Sequence, residues 1–252
     1  MSIITNYIYL YIWLSFTTFL NMIMTVSGSG ISNPITAIFT DPYRAIAIGS
    51  AVFFFGSIHR VYLFRENILS DPKNIKYIKR MLPASILGAF VGGVLISNLN
   101  IKLVVILVAV SSIFLIVKTI KSLFTTKKTI SKDSIKNDVL VAIITGFFQG
   151  SGMPGVDMRN NYLRTVISEV SVRAVSSVVC ISNFFVVFVV IFFHKKMLVT
   201  DLYFVISIIP MLIIAQIYGK KILIKLADRT AKLISVSMSM VGVLLLIYKY
   251  LL

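Results

Sequence analysis

Ser27-Gly28-Ser29-Gly30-Ile31-Ser32-Asn33-Pro34 and Gln149-Gly150-Ser151-Gly152-Met153-Pro154-Gly155 are the two stretches on which the fold turns. Each sets a Gly-Ser-Gly triplet and a proline into otherwise apolar sequence. Glycine loses much conformational freedom when ordered and proline removes a backbone donor, so both stretches predict an interrupted helix. Around them run apolar segments at about 8–26, 45–64, 78–97, 101–120, 174–193, 202–218 and 233–252, rich in Ile, Leu, Val and Phe. A bilayer core about 30 Å thick takes roughly 20 such residues per helix, so these segments read as full spans. Three weaker pieces, 31–40, 139–148 and 153–168, lie beside the breaks; the first two are too short to cross. A break inside hydrocarbon strands backbone N–H and C=O groups, which is tolerated only where protein or a water-filled cavity satisfies them. The two breaks therefore predict a cavity.

Composition points to the same solvent. Of 252 residues, 58% are hydrophobic and 13% charged, far from the balance of a soluble domain, and the fold expected is an all-α polytopic membrane protein. The net charge of +16 invites a nucleic-acid reading, but its distribution argues against one. Six Lys and Arg fall in 60–80, six in 118–136 and five in 220–232, all between apolar runs, whereas only Lys195 and Lys196 separate the runs ending near 193 and starting near 202. That asymmetry marks the three rich loops as cytoplasmic. The lone Cys180 excludes an internal disulfide, and Met1–Tyr11 lacks the basic start of a cleaved leader, so the first apolar run reads as a retained helix of a multi-pass cell-membrane protein.

The breaks occupy matching places in two halves. Gly28-Ser29-Gly30 corresponds to Gly150-Ser151-Gly152, Arg44-Ala45 to Arg173-Ala174, and Pro83 with Gly92 to Pro210 with Gly219, in the same order and at nearly constant offset. Duplication explains this better than chance. The expected organisation is a first repeat over 1–124, a polar cytoplasmic linker over 125–138 and a second repeat over 139–252, with about eight to ten membrane segments in all. With the linker and the 220–232 loop on one side, the second broken region crosses either twice or not at all. Each half holds full helices plus a broken pair, and the halves are inverted relative to each other. Inverted repeats with discontinuous helices are an architecture in which secondary transporters build their sites.

The chain resembles the TauE/SafE sulfite exporter family over most of its length. Gly28-Ser29-Gly30-Ile31-Ser32-Asn33-Pro34 is similar to that family's Gly-rich first-helix break followed by proline. Leu82-Pro83-Ala84-Ser85-Ile86-Leu87-Gly88-Ala89-Phe90-Val91-Gly92 is similar to its Pro-to-Gly third helix. The second half repeats the design with Gly146-Phe147-Phe148-Gln149-Gly150-Ser151-Gly152 and Pro210 to Gly219, although Gly-Ser-Gly stands where the family has consecutive glycines. The resemblance implies transport of sulfite, sulfonates or other small anionic sulfur or carboxylate compounds.

Candidate site residues follow from the breaks. Gly28, Ser29 and Gly30, with Gly150, Ser151 and Gly152, offer free N–H groups and hydroxyls to an anion, as helix N-termini do; the competing role for such small residues is close helix packing. Asn33 and Gln149 are polar enough to line the cavity or to satisfy the broken backbone. Arg44 and Arg173 occupy matching positions after each break, where a guanidinium suits a sulfonate, sulfite or carboxylate, or else snorkels to headgroups. Asp157 and Glu169 are candidates for carrying a coupling proton, or for neutralising Arg159, Arg164 or Arg173. Asp41 reads as a helix N-cap, His59 and His194 as interfacial, and Trp13 with Tyr7, Tyr9 and Tyr11 as an aromatic belt. No metal or cofactor motif is present in the sequence. The reading is a non-enzymatic, secondary-type transporter of a small anion working by alternating access. The alternatives are a passive anion channel and an intramembrane enzyme. The partners expected are the solute and the lipid bilayer, without nucleic acid, the oligomeric state being open.

Overall fold

The computed structural model describes the backbone of residues 3–23, 28–124, 134–194, 196–223 and 228–252, and all of its regular structure there is helical. The elements are α1 (Ile3–Ile23), α2 (Gly28–Phe39), α3 (Pro42–Leu63), α4 (Arg65–Ser70), α5 (Pro72–Asn98), α6 (Ile101–Phe124), α7 (Ile135–Gly150), α8 (Gly155–Leu163), α9 (Glu169–Phe193), α10 (Val199–Leu223) and α11 (Asp228–Tyr250). Five of these, α3, α5, α6, α9 and α10, are long and apolar enough to cross a membrane. Leu87, Phe90, Val110, Phe114, Ile206 and Leu244 point outward and are each more than half exposed, an apolar surface suited to lipid tails and not to water.

Helix starts lie ahead of the apolar runs because polar residues cap them. The Asp41 carboxylate accepts from the backbone N–H of Tyr43 and Arg44 (both 3.0 Å), as expected of an N-cap. Asp71 does the same for Lys73 (2.9 Å), and Ser134 and Ser168 cap α7 and α9. The first turn of α7 already takes in the last residues of the polar linker; 125–133 lies outside the described residues.

Two helix pairs fold back on themselves. At the end of α2 the Phe39 ring stacks on Tyr9 near the start of α1, with centroids 5.7 Å apart. At the end of α8 the Tyr162 hydroxyl donates to Asp138 at the start of α7 (2.6 Å). The α7–α8 pair therefore returns to the end of the bundle where it began. The mouths of the two hairpins lie at opposite ends. Arg44 ties the start of α3 to Asp201 at the start of α10, beside Tyr7 of α1, while Arg173 at the start of α9 reaches the Met22 carbonyl at the far end of α1.

Lipid supplies no hydrophobic force to bring helices together, so close contact and polar ties must do it. The α5–α7 pair is the tightest example. A Cβ on Gly88 would lie 2.2 Å from the Ile143 carbonyl oxygen, one on Gly92 2.3 Å from that of Phe147, one on Gly146 2.2 Å from that of Ser85 and one on Gly150 2.2 Å from that of Ala89. Two Gly-x-x-x-Gly ridges thus interlock backbone to backbone. The opposite pairing, α1 on α10, repeats the device once, with Gly219 against Met22 and Phe19. Between these pairs α3 packs along α9, Phe53 meeting Phe184 (5.6 Å) and Phe54 meeting Phe185 (5.5 Å).

Candidate functional site

The second break is a tight turn. After Gly150 the chain passes through Ser151, Gly152 and Met153 before Pro154 starts α8. Gly152 takes φ +73°, a left-handed conformation natural to glycine, and a Cβ there would strike Ile46 at 2.6 Å. The first break is placed differently from expectation: Gly28, Ser29 and Gly30 are not an unwound stretch but the opening turn of α2. The Ser29 side chain lies outside the described residues, as does that of Glu169, the first residue of α9. The structure brings the two breaks together through Asn33, whose Nδ2 donates to the Gly152 carbonyl (3.0 Å).

Below the turn lies a buried polar chain. Asn183 donates from Nδ2 to Ser85 Oγ (2.6 Å) and to Gln149 Oε1 (3.0 Å). The same Gln149 oxygen accepts from Arg159 Nη1 (3.3 Å). Arg159, on α8, is fully buried. Its remaining donors go to Ser176 Oγ (3.0 and 3.2 Å), the Ser176 carbonyl (3.4 Å) and Cys180 Sγ (2.8 Å). Among the described residues every partner of this guanidinium is neutral. Because guanidinium only donates, the Gln149 atom facing it must be the oxygen, which turns Nε2 the other way. That amide nitrogen is buried and has no hydrogen-bond partner among the described residues.

Arg60, in the last turn of α3, adds a second cation. Its Nε is enclosed and has no partner among the described residues, and the side chain shares a small polar cavity of about 20 Å³ with Asn21, Asn160, Arg173 and the Ser176 that Arg159 holds. An uncompensated buried charge costs several kcal/mol. The buried Arg159 has no carboxylate partner among the described residues, and the enclosed Arg60 Nε adds an unused donor at the neighbouring cavity. An apolar groove of about 450 Å³ between α6 and the α7–α8 turn, lined by Phe114, Phe147 and Met153, has no comparable group to hold an anion.

Several sequence-predicted residues take other roles. Arg44 and Arg173 do not converge: their partners Tyr7 and Met22 sit at opposite ends of α1, about 22 Å apart at 1.5 Å per residue. Arg44 is held by Asp201 through Nε (3.0 Å) and Nη2 (2.7 Å), so its fork is occupied by a carboxylate of the protein itself. Tyr7 also donates to Asp201 (2.9 Å) instead of standing in a belt. Arg173 stays at the cavity. Gly150 serves α5–α7 packing, and Ser151 Oγ donates to the Gly92 carbonyl (3.4 Å). Asp157 is buried in the first turn of α8, where the helix dipole favours a negative charge. His59 Nδ1 meets Gln216 Oε1 (2.9 Å), and His194 bonds the Val190 carbonyl (2.8 Å).

Arg60 and Arg159 were missed in the sequence. Arg60 counted only toward loop charge and Arg159 only as a partner for acids. The available signal was Arg159 itself, a cation inside a helix too short to cross, one turn after the Gly152-Met153-Pro154-Gly155 break.

No curated protein and no solved structure matches the chain. The family model described as sulfite exporter TauE/SafE matches residues 10–246, which takes in both hairpins, the buried arginines and every helix that packs on them. The chain therefore belongs to the sulfite exporter TauE/SafE family, a family of membrane transporters.

Proposed function

We propose that the chain carries a small anion, such as sulfite, a sulfonate or another small organic sulfur or carboxylate compound, across the membrane by alternating access between two inverted repeats. The observation that carries this reading is the fully buried Arg159, bonded only to neutral groups among the described residues and flanked by Arg60 and the unused Gln149 amide. An oxyanion in the cavity that Arg60 and Arg173 line would neutralise guanidinium charge there and accept from Arg60 Nε. Pairing of α1 with α10 and of α7 with α5, with α3 against α9 between them, supports a repeat in which each hairpin packs on the other half. The cavity of about 20 Å³ holds no more than a water-sized group, so a polyatomic anion enters only if helices part. That favours a carrier with moving parts over a standing channel.

Sulfite flux into proteoliposomes tests the reading. Arg159→Gln and Arg60→Gln remove charge-assisted hydrogen bonds worth about 1.5–3 kcal/mol each, so uptake at low substrate falls about 10- to 100-fold, whereas Lys102→Gln on the exposed start of α6 leaves it unchanged. Saturable uptake accelerated by sulfite on the far side is the expected signature of a carrier. Undiminished flux in both arginine variants, or single-channel current in place of exchange, would overturn the proposal.

A further inference from the structure

The α2 helix carries buried polar groups that the anion reading does not use. On α2, Ser32 Oγ, Asn33 Oδ1 and Thr36 Oγ1 are all buried, and none has a hydrogen-bond partner among the described residues. The Asn33 amide cannot be turned to relieve this, because its Nδ2 is fixed on the Gly152 carbonyl and the oxygen must face away. Hydroxyls in helices usually donate back to the carbonyl four residues earlier. Thr40, Ser15, Ser97 and Ser177 all do so in this protein, at 2.7–2.9 Å. Ser32 and Thr36 do not, which leaves their oxygens turned elsewhere.

Two of these oxygens face the same point on α3. From the point where a Cβ on Gly49 would sit, Asn33 Oδ1 is 2.6 Å away and Ser32 Oγ 3.9 Å. Thr36 follows Asn33 by three residues and Ser32 by four, so it shares their face of α2 one turn on. We propose that Ser32, Asn33 and Thr36 form a binding site for a monovalent alkali cation, sodium being the natural occupant. Neutral oxygen ligands without a carboxylate suit a singly charged hard cation better than calcium or magnesium, which draw on carboxylates. Among the described residues no cluster of His, Cys, Asp and Glu could hold a metal ion, so the site is not a divalent centre in another guise. Asn33 bonds the same turn that carries Gln149, which places the cation beside the region proposed for the anion and opposite in charge to it.

Thermal unfolding of the purified full chain in sodium, potassium or choline chloride at equal ionic strength provides the test. Sodium is expected to raise the midpoint in a saturable way, because a ligand bound only by the folded state stabilises it by mass action. Thr36→Ser retains a hydroxyl and keeps the effect. Thr36→Val and Ser32→Ala raise the half-saturating sodium concentration about tenfold, the equivalent of losing one modest ligand. Equilibrium binding of radioactive sodium to the unmodified chain gives the same answer without any variant. Equal midpoints in the three salts together with no sodium bound, meaning that the oxygens hold only water, would overturn the proposal. So would a sodium response unchanged in Thr36→Val and Ser32→Ala. No sulfur anion is present in these measurements, so their outcome and that of the sulfite flux measurements can fail separately.

Discussion

Asp201 is wholly buried at the start of α10 and accepts from Arg44, Tyr7 and the backbone N–H of Leu198. Removing one partner of such a pair leaves a charge with nothing to balance it, at a cost of about 3–5 kcal/mol. Arg44→Ala should therefore lower the thermal unfolding midpoint sharply while the sulfite affinity of the protein that remains folded is unaltered. Weakened sulfite binding at unchanged stability would return Arg44 to the anion site. Gly152→Ala acts through backbone and space together. The left-handed conformation costs an alanine about 1–2 kcal/mol, and the added methyl meets the Ile46 side chain at 2.6 Å. The expected result is a lower midpoint and reduced flux, since the turn that moves also carries the Asn33 contact and precedes Arg159; a midpoint equal to that of the unmodified chain would show that the turn tolerates a side chain.

At the scale of elements, the α5–α7 contact holds the polar chain in register, because Ser85 and Gln149 stand beside the interlocked glycines. A methyl added at Gly146 or Gly150 meets backbone, not a flexible side chain, and can be accommodated only if the helices separate. Gly146→Ala and Gly150→Ala should each cost about 1–3 kcal/mol, read as a drop in the unfolding midpoint; unchanged midpoints would mean that the two helices slide freely. Much of this level was legible beforehand. Hydropathy located every long helix, the Asp41 cap was readable from its place before Pro42, and the short helices beside Pro34 and Pro154 followed from the chain-breaking residues. What escaped is whatever depends on which helices become neighbours. Gly-Ser-Gly at 28–30 resembles a break in sequence, yet it winds as the first turn of α2. Arg44 and Arg173 occupy matching places in the sequence yet lie at opposite ends of the bundle, as the proposed inversion of the two halves would require. Arg60 and Arg159 belong to different halves, and no local pattern reveals that α3 and α8 bring them around Ser176.

For the whole molecule, the hairpins α1–α2 and α7–α8 open at opposite ends of one bundle, and this opposition gives the transport proposal its two faces. The loops rich in Lys and Arg give an expectation of which face is which. They follow the ends of α3, α6 and α10, and the positive-inside rule assigns them to the cytoplasm. On this expectation the α7–α8 mouth would face the cytoplasm, and the α1–α2 mouth, with the Arg44–Asp201 pair beside it, would face the other side. Cysteine labelling tests this arrangement directly, because the sole native thiol, Cys180, is buried and can be replaced by alanine as the background. Leu198, ahead of α10, and Ser70, at the end of α4, are both exposed. A membrane-impermeant maleimide applied to intact cells should label Leu198→Cys and spare Ser70→Cys until the membrane is opened. Labelling of both positions from outside would place the two ends of α3 on one side, and the opposed hairpins could not then serve as alternating entrances to the arginine pair between them.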